Sequence, residues 1–353
     1  MRRTFRIAVL PGDGIGPEAI AEGIKALRAV ERRLAGVSFE LDEFPAGAGE
    51  YLRSGDPLPP ATFEACKAAD AILLGAMGLP GVRWPGGTEM APQLDLRERL
   101  DLYCGARPIR LYNEIHSPLK NVRAGDIDFL LIRESTEGLF HSRLKKHAPD
   151  ANEVTDTMLI SRAGAERVCR SAFQYATRRR GLLTLVDKAN VLPSMAFFRR
   201  IFDEVSAEFP NVRTERIYVD AAALYLVRRP QTFDVLVTEN MFGDILSDLA
   251  AGLVGGMGMA PSGDIGDVHA VFQPSHGSAP DIAGRGIANP IATILSVAMM
   301  LDWLDDVEAQ RGGALIRAAV EKVCLDGRYR TQDLGGSTST AAMGDRIAAE
   351  LGS

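Results

Sequence analysis

Phe233-Asp234-Val235-Leu236-Val237-Thr238-Glu239-Asn240-Met241-Phe242-Gly243-Asp244-Ile245-Leu246-Ser247-Asp248-Leu249-Ala250-Ala251-Gly252-Leu253 changes its hydrophobic period part-way along. Up to Thr238 the run is short, apolar and rich in valine, which predicts a buried strand. Beyond Gly243, the residues Ile245, Leu246, Leu249 and Leu253 keep the three- and four-residue spacing of a helix. Asp244 and Asp248 are four apart, so both carboxylates leave one helix face, a turn from each other. Such a pair is either a solvated acidic face or a seat for a hard divalent cation, Mg²⁺ or Mn²⁺.

The same strand-then-helix pattern recurs on both sides of this stretch. Phe5 to Leu10, Val37 to Phe44, Ala71 to Leu74, Phe129 to Ile132 and Leu182 to Val186 read as strands. Glu18 to Leu34, Arg162 to Arg178, Ser194 to Glu208 and Ala221 to Val227 read as helices. The alternation predicts an α/β protein with a largely parallel sheet. Met77 to Pro92 and the glycine-rich Gly255 to Gly266 read as long loops. Ile291 to Leu301 reads as a buried helix too short to span a bilayer.

A chain of 353 residues exceeds one ordinary core, so two domains are expected. No flexible linker marks a boundary, which implies that the chain crosses over and returns. With 46% hydrophobic and 24% charged residues the composition is that of a globular protein. A formal net charge of −6 disfavours nucleic acid and acidic membrane surfaces as partners. Cys66, Cys104, Cys169 and Cys324 have no metal-ligand spacing and read as reduced thiols of a cytoplasmic protein.

Gly12-Asp13-Gly14-Ile15-Gly16-Pro17 follows a strand and opens a helix. Its spacing is wrong for the common dinucleotide fingerprint, so a tight turn and a ligand loop both remain open. Arg97, Arg107 and Arg133 each follow or end an apolar segment. An arginine there is placed either for a salt bridge or to grip a substrate carboxylate. Lys188 ends Leu185-Val186-Asp187-Lys188, a position suited to a general base. Asp220 precedes a helical run and reads equally as an N-cap.

Five segments in order extend this list: Leu10 to Glu18, Val186-Asp187-Lys188-Ala189-Asn190-Val191, Tyr218-Val219-Asp220, Asn240 to Asp248, and His276-Gly277-Ser278-Ala279-Pro280-Asp281-Ile282-Ala283-Gly284. Together with Gly286-Ile287-Ala288-Asn289-Pro290 and Asp333-Leu334-Gly335-Gly336, they resemble the signatures of the isopropylmalate/isocitrate dehydrogenase family of metal-dependent β-decarboxylating dehydrogenases. The likeness spans nearly the whole chain and is greatest to the branch acting on 3-isopropylmalate.

The resemblance implies an isopropylmalate dehydrogenase-like fold, not a Rossmann fold, with two α/β domains sharing one sheet. Residues 1–102 and 255–353 would form a cofactor-binding domain, and 103–254 a central domain for substrate, metal and dimerisation. It implies a homodimer with shared active sites, in which Lys188 and Asp220 reach in from the partner chain. Arg97, Arg107 and Arg133 would hold substrate carboxylates, with Gln93, Leu94, Phe140 and Val191 around the rest of the substrate. Asp220, Asp244 and Asp248 would hold Mg²⁺ or Mn²⁺, and Lys188, tuned by Asp220, would be the base. NAD would meet Ile15, Asn190, His276, Gly277, Ser278, Ala279, Asp281, Ile282 and Asn289; Asp281 and Ile282 match the NAD-using branch rather than the NADP-using one.

Two positions depart from the family pattern. Phe140 stands where the family has tyrosine, and phenylalanine cannot donate a proton to the enol left by decarboxylation. Water or His141 would have to replace it, or decarboxylation would be slow. Gln93 replaces one of two leucines expected to hold an isopropyl group, which keeps tartrate and D-malate in contention. A non-catalytic regulatory homologue would lack the aspartates or the lysine, and all are present.

Overall fold

The computed structural model describes residues 3–148 and 150–352. The chain begins with β1 (Arg3–Leu10), α1 (Gly16–Glu31), β2 (Val37–Glu43), α2 (Ala48–Ser54), α3 (Pro60–Ala68), β3 (Ala71–Leu74) and α4 (Pro92–Arg99). The middle supplies β4 (Cys104–Arg110), β5 (Asp128–Glu134), α5 (Arg162–Thr177), β6 (Leu182–Asp187), α6 (Pro193–Ser206), β7 (Arg213–Tyr218), α7 (Val219–Arg228), β8 (Val235–Thr238) and α8 (Asn240–Gly252). It closes with β9 (Pro261–Ile265), β10 (Ala270–Pro274), α9 (Ile291–Trp303), α10 (Val307–Asp326) and α11 (Thr340–Gly352).

Among the described residues all ten strands join one sheet in the order β2-β1-β3-β10-β9-β4-β5-β8-β6-β7. This is an α/β fold with a mostly parallel sheet, and its order is not that of a Rossmann sheet. The exceptions sit together at the centre, where β10–β9, β9–β4 and β4–β5 are antiparallel. Three consecutive reversals leave the two parallel blocks running in opposite senses. One block takes its strands from residues 3–74 and 261–274, the other from 104–238.

Each block is covered by its own apolar layer. Helices α1, α9, α10 and α11 bury Ile20, Leu27, Ile294, Val297, Ile316, Val320 and Ile347 against Ile7, Val9 and Phe272. On the other block, α5 and α6 bury Val168, Phe173, Phe198 and Phe202 against Ile132, Leu185 and Val237. The opposite face packs Leu226 of α7 and Leu246 and Ala250 of α8 against Leu131, Val186 and Leu236. Helix α9 is buried along nearly its whole length, as its apolar run predicts.

Three local expectations need correction. Gly255 to Gly266 is not a loop throughout: a 3₁₀ turn, Met257–Met259, leads into β9. Pro261-Ser262-Gly263-Asp264 lacks the β-branched pattern of a strand, and pairing on both sides imposes the conformation instead. Helix α1 ends at Glu31 rather than Leu34. Asp220 is not an N-cap, because α7 already begins at Val219.

Among the described residues no helix is long and apolar enough to cross a membrane. All four cysteines are buried and unpaired.

Candidate active site

Helix α8 is anchored by Glu239, whose buried carboxylate accepts from the backbone N–H groups of Met241 (3.0 Å) and Phe242 (2.6 Å). The helix thereby presents Asn240 and Asp244 to β5, where Arg133 is only 2% exposed. Arg133 donates from Nε (2.9 Å) and Nη2 (2.6 Å) to Asn240 Oδ1 and from Nη1 to Asp244 Oδ1. Asn240 is held in turn through Nδ2 to the carbonyl of Glu137 at 2.9 Å. The approach depends on Gly243: a Cβ there would lie 2.8 Å from both Cβ and Cγ of Arg133.

Two more buried arginines lie beside it, Arg97 from α4 and Arg107 from β4. Arg107 donates from Nη1 to Ser275 Oγ at 3.1 Å, which ties β4 to the segment after β10. Burial lowers the pKa of Arg107, and at Arg133 burial and then Arg97 push it down to about 10. Both remain protonated at neutral pH, so this is a compressed cationic cluster able to attract carboxylates. Phe140 stands over Arg133, 5.2 Å from guanidinium carbon to ring centroid. Nearby, the side-chain oxygen of Gln93 is buried without a hydrogen-bond partner.

Asp248 follows Asp244 by one turn. Burial, and then the charge of Asp244, raises its pKa above the ordinary carboxylate range. Two carboxylates under mutual strain, offering hard oxygens, fit a divalent cation. Within one chain, and among the described residues, no group of three acidic, histidine or cysteine side chains gathers to complete such a site. Asp220 instead lies at the start of α7, where its carboxylate accepts from Lys188 Nζ at 2.7 Å. That bond is the chief reason its pKa is lowered. Lys188 and Asp220 thus meet each other, and Asn190 and Val191 beside them are exposed.

The other block carries a candidate cavity of its own. Ile15, His276, Ile282 and Asn289 line a cavity of about 330 Å³ with Gly258, Arg285, Ile287, Ala288, Gln332 and Asp333. His276 Nδ1 meets the carbonyl of Gly277 at 2.9 Å, while its Nε2 is shielded from water and unpartnered. An unsatisfied ring nitrogen in an apolar-walled cavity fits the adenine end of a dinucleotide. Asn289 is fixed by Asp333, accepting from Nδ2 at 3.0 Å.

Gly277, Ser278, Ala279 and Asp281 do not line this cavity. Ser278 is structural to the turn beneath it: its carbonyl accepts from Ile15 N at 2.8 Å and its Oγ donates to the carbonyl of Gly78 at 2.5 Å. Gly14 adopts a φ of +57°, and a Cβ there would fall 1.9 Å from that same Ser278 carbonyl. Asp13 completes the clasp, accepting from the backbone N–H groups of Ala48 (2.7 Å), Gly49 (2.8 Å) and Gly78 (2.7 Å).

Several members of the site escaped the sequence reading. Asp264 on β9 lies among the arginines, Ser275 joins the two blocks, and Asn240 orients Arg133. Asn240 sits in the quoted motif beside Asp244, so its position carried a signal. Asp264 gave none, being a lone acid in a stretch that reads as a loop.

A family model described as isocitrate/isopropylmalate dehydrogenase matches residues 6–347. The chain belongs to the isocitrate/isopropylmalate dehydrogenase family. Among its relatives, a 3-isopropylmalate dehydrogenase from Moorella thermoacetica is 46% identical, over 98% of this chain and 99% of that protein. One from Bacillus subtilis is 42% identical over 98% and 97%. Among solved structures, an isocitrate dehydrogenase from Methylococcus capsulatus superposes with a TM-score of 0.88 at 36% identity, covering 99% of this chain and all of that one. A β-decarboxylating dehydrogenase from Thermococcus kodakarensis gives 0.80 at 38% identity, covering 98% and 96%. In this member of the family Arg97, Arg107 and Arg133 lie buried together beside Asp244 of α8, while Lys188 pairs with Asp220.

Proposed function

We propose that the protein oxidises and decarboxylates a malate-type 2-hydroxy acid substituted at C3, using NAD and Mg²⁺ or Mn²⁺, with 3-isopropylmalate the best single substrate. The observation that carries this reading is the contact of buried Arg133 with Asp244, which sets a carboxylate-binding cluster directly against the aspartates of α8. Names of relatives at 42–46% identity support the substrate.

In this reading Arg97, Arg107 and Arg133 hold the substrate carboxylates by charge-assisted hydrogen bonds. Asp244 and Asp248, with Asp220 of a second copy, would hold the cation. When bound, the cation supplies Lewis acidity at the substrate oxygens, and NAD supplies the hydride acceptor. Lys188 Nζ takes the proton from the C2 hydroxyl, its orientation set by Asp220. Phe140 excludes water from Arg133 but offers no proton, so the proton for C3 comes from water or His141. The cavity at His276 and Asn289 is the seat of the adenosine, and Asp281 favours NAD by repelling a 2′-phosphate.

The reading requires a homodimer. Edge strand β7 and the exposed Val191, Leu224, Val227 and Ile245 support a second copy docking beside Lys188 and Asp220. It also keeps the division into 1–102 with 255–353 for the cofactor and 103–254 for substrate and metal, in a cytoplasmic enzyme. A second reading, oxidation of tartrate or D-malate, is favoured by the unpartnered oxygen of Gln93, which suits a hydrogen-bonding substituent better than a branched alkyl group. Reduction of NAD with Mn²⁺ across 3-isopropylmalate, D-malate, tartrate, isocitrate and homoisocitrate tests both; turnover of none overturns the catalytic reading.

A further inference from the structure

Asp264 is wholly buried on β9, out of reach of bulk solvent. Its Oδ2 lies 3.0 Å from Arg97 Nε and accepts from Gln273 Nε2 at 2.7 Å. Its Oδ1 lies 3.9 Å from Arg107 Nη2 and accepts from Ser135 Oγ at 3.5 Å. Each oxygen therefore faces one cation and one neutral donor. Burial alone would raise the pKa, but Arg97, followed by Arg107 and Arg133, outweighs it and holds the carboxyl below the ordinary range.

The three guanidiniums carry three positive charges, and Asp264 cancels one of them from inside the protein. Asp244, which touches Arg133, has a side chain 48% exposed and faces solvent and the like charge of Asp248. Asp264 shares with nothing outside, so its contribution is a fixed property of the pocket. With Asp244 and Asp248 given to the cation in the proposed reading, two positive charges remain for substrate carboxylates, the number a dicarboxylate neutralises. A third carboxylate would meet a pocket already balanced, and would be desolvated without a partner.

We propose that Asp264 is a specificity-determining residue, an internal counter-ion that sets the arginine pocket for acids with two carboxylates and against acids with three. The proposal rests on the reading of this site as a hydroxy-acid pocket. Gln273 is its natural control. Because its amide donates directly to Asp264, the exchange D264N/Q273E moves the carboxylate to the neighbouring strand while keeping the charge and a hydrogen bond.

The test compares wild type, D264N, Q273E and D264N/Q273E in the full chain, with thermal unfolding checking the fold of each. Turnover with NAD and Mn²⁺, and calorimetric binding with Mn²⁺, are measured for 3-isopropylmalate, D-malate, isocitrate and homoisocitrate. D264N should raise the preference for three-carboxylate over two-carboxylate acids by about tenfold or more, a 1.4 kcal/mol change per decade. The exchange should return it toward wild type, and Q273E alone, which adds a charge, should shift it the opposite way. If D264N fails to fold, Q273E and the exchange still read the charge. Equal changes for all acids would overturn the proposal, because a clamp holding β9 to α4 and β4 would act without regard to ligand charge. Failure of the wild type to bind or turn over any of the acids would overturn the site reading itself.

Discussion

Arg133 Nη1 donates to Asp244 Oδ1, so a fully buried cation on β5 and a half-exposed anion on α8 fix one another where the helix packs on the sheet. Asp244 therefore anchors Arg133, and in the proposed reading it would also hold a cation. Replacing Arg133 by lysine keeps the charge but loses the fork that spans Asn240 and Asp244. Loss of one charged hydrogen bond, about 1.5–3 kcal/mol, predicts a fall in kcat/KM of roughly 10- to 150-fold, seen chiefly in KM. Steady-state kinetics of Arg133→Lys checks it, and unchanged KM would contradict it.

Gly243 permits that contact, so Gly243→Ala should disturb it without removing a charge. The added Cβ would lie 2.8 Å from two carbons of a side chain that has no room to move. Overpacking of this kind costs about 1–3 kcal/mol. Urea unfolding should show a lower midpoint with the same slope, together with weakened Mn²⁺ binding.

Asp244 and Asp248 were legible because their spacing, the strand before them and the glycine between are all local. The arginines and Lys188 were legible because each closes an apolar run. Asp264 was not, since its meaning comes from Arg97 on α4 and Arg107 on β4, more than 150 residues earlier in the chain. Asp333 was visible as part of a closing motif, but its grip on Asn289 depends on packing that no periodicity encodes. The sheet order was hidden for the same reason: nothing local says that β10 will lie between β3 and β9.

The site reading places Lys188 opposite the Asp244 of a second copy. Lys188→Met and Asp244→Asn should each be nearly inactive alone. Unfolding and refolding the two together should restore about a quarter of wild-type activity, because half the dimers are mixed and each has one intact site. No recovery in verified mixed dimers would mean that each chain completes its own site.

Phe140 bears on the fate of the oxidised intermediate. CO₂ release should lag behind NADH formation in the wild type, and Phe140→Tyr should close the gap by supplying a phenol donor. His141→Gln should widen it. Coincident release unaffected by either substitution would remove Phe140 from the proton route.

His116 is buried with both ring nitrogens unpartnered, next to Gly255. Burial, and then Arg330, lowers its pKa below the ordinary 6.5. The unfolded chain therefore binds the extra proton first as pH falls, and the stability contributed above about pH 6.5 is lost as pH drops through the folded-state value. His116→Leu should flatten the decline in unfolding free energy below pH 6.5 by up to about 1.4 kcal/mol per pH unit. An unchanged slope would assign the acid sensitivity to other groups.

The antiparallel centre of the sheet also has a consequence in time. Strand β3 ends at Leu74 and its partner β10 begins at Ala270, so nearly two hundred residues must leave the ribosome before the two can pair. Residues 104–238 can form their own parallel block meanwhile, but Arg97 and Arg107 emerge long before Asp264. A nascent chain stalled before β9 would hold a cationic cluster without its inner counter-charge. The arginine pocket is completed only near the end of synthesis.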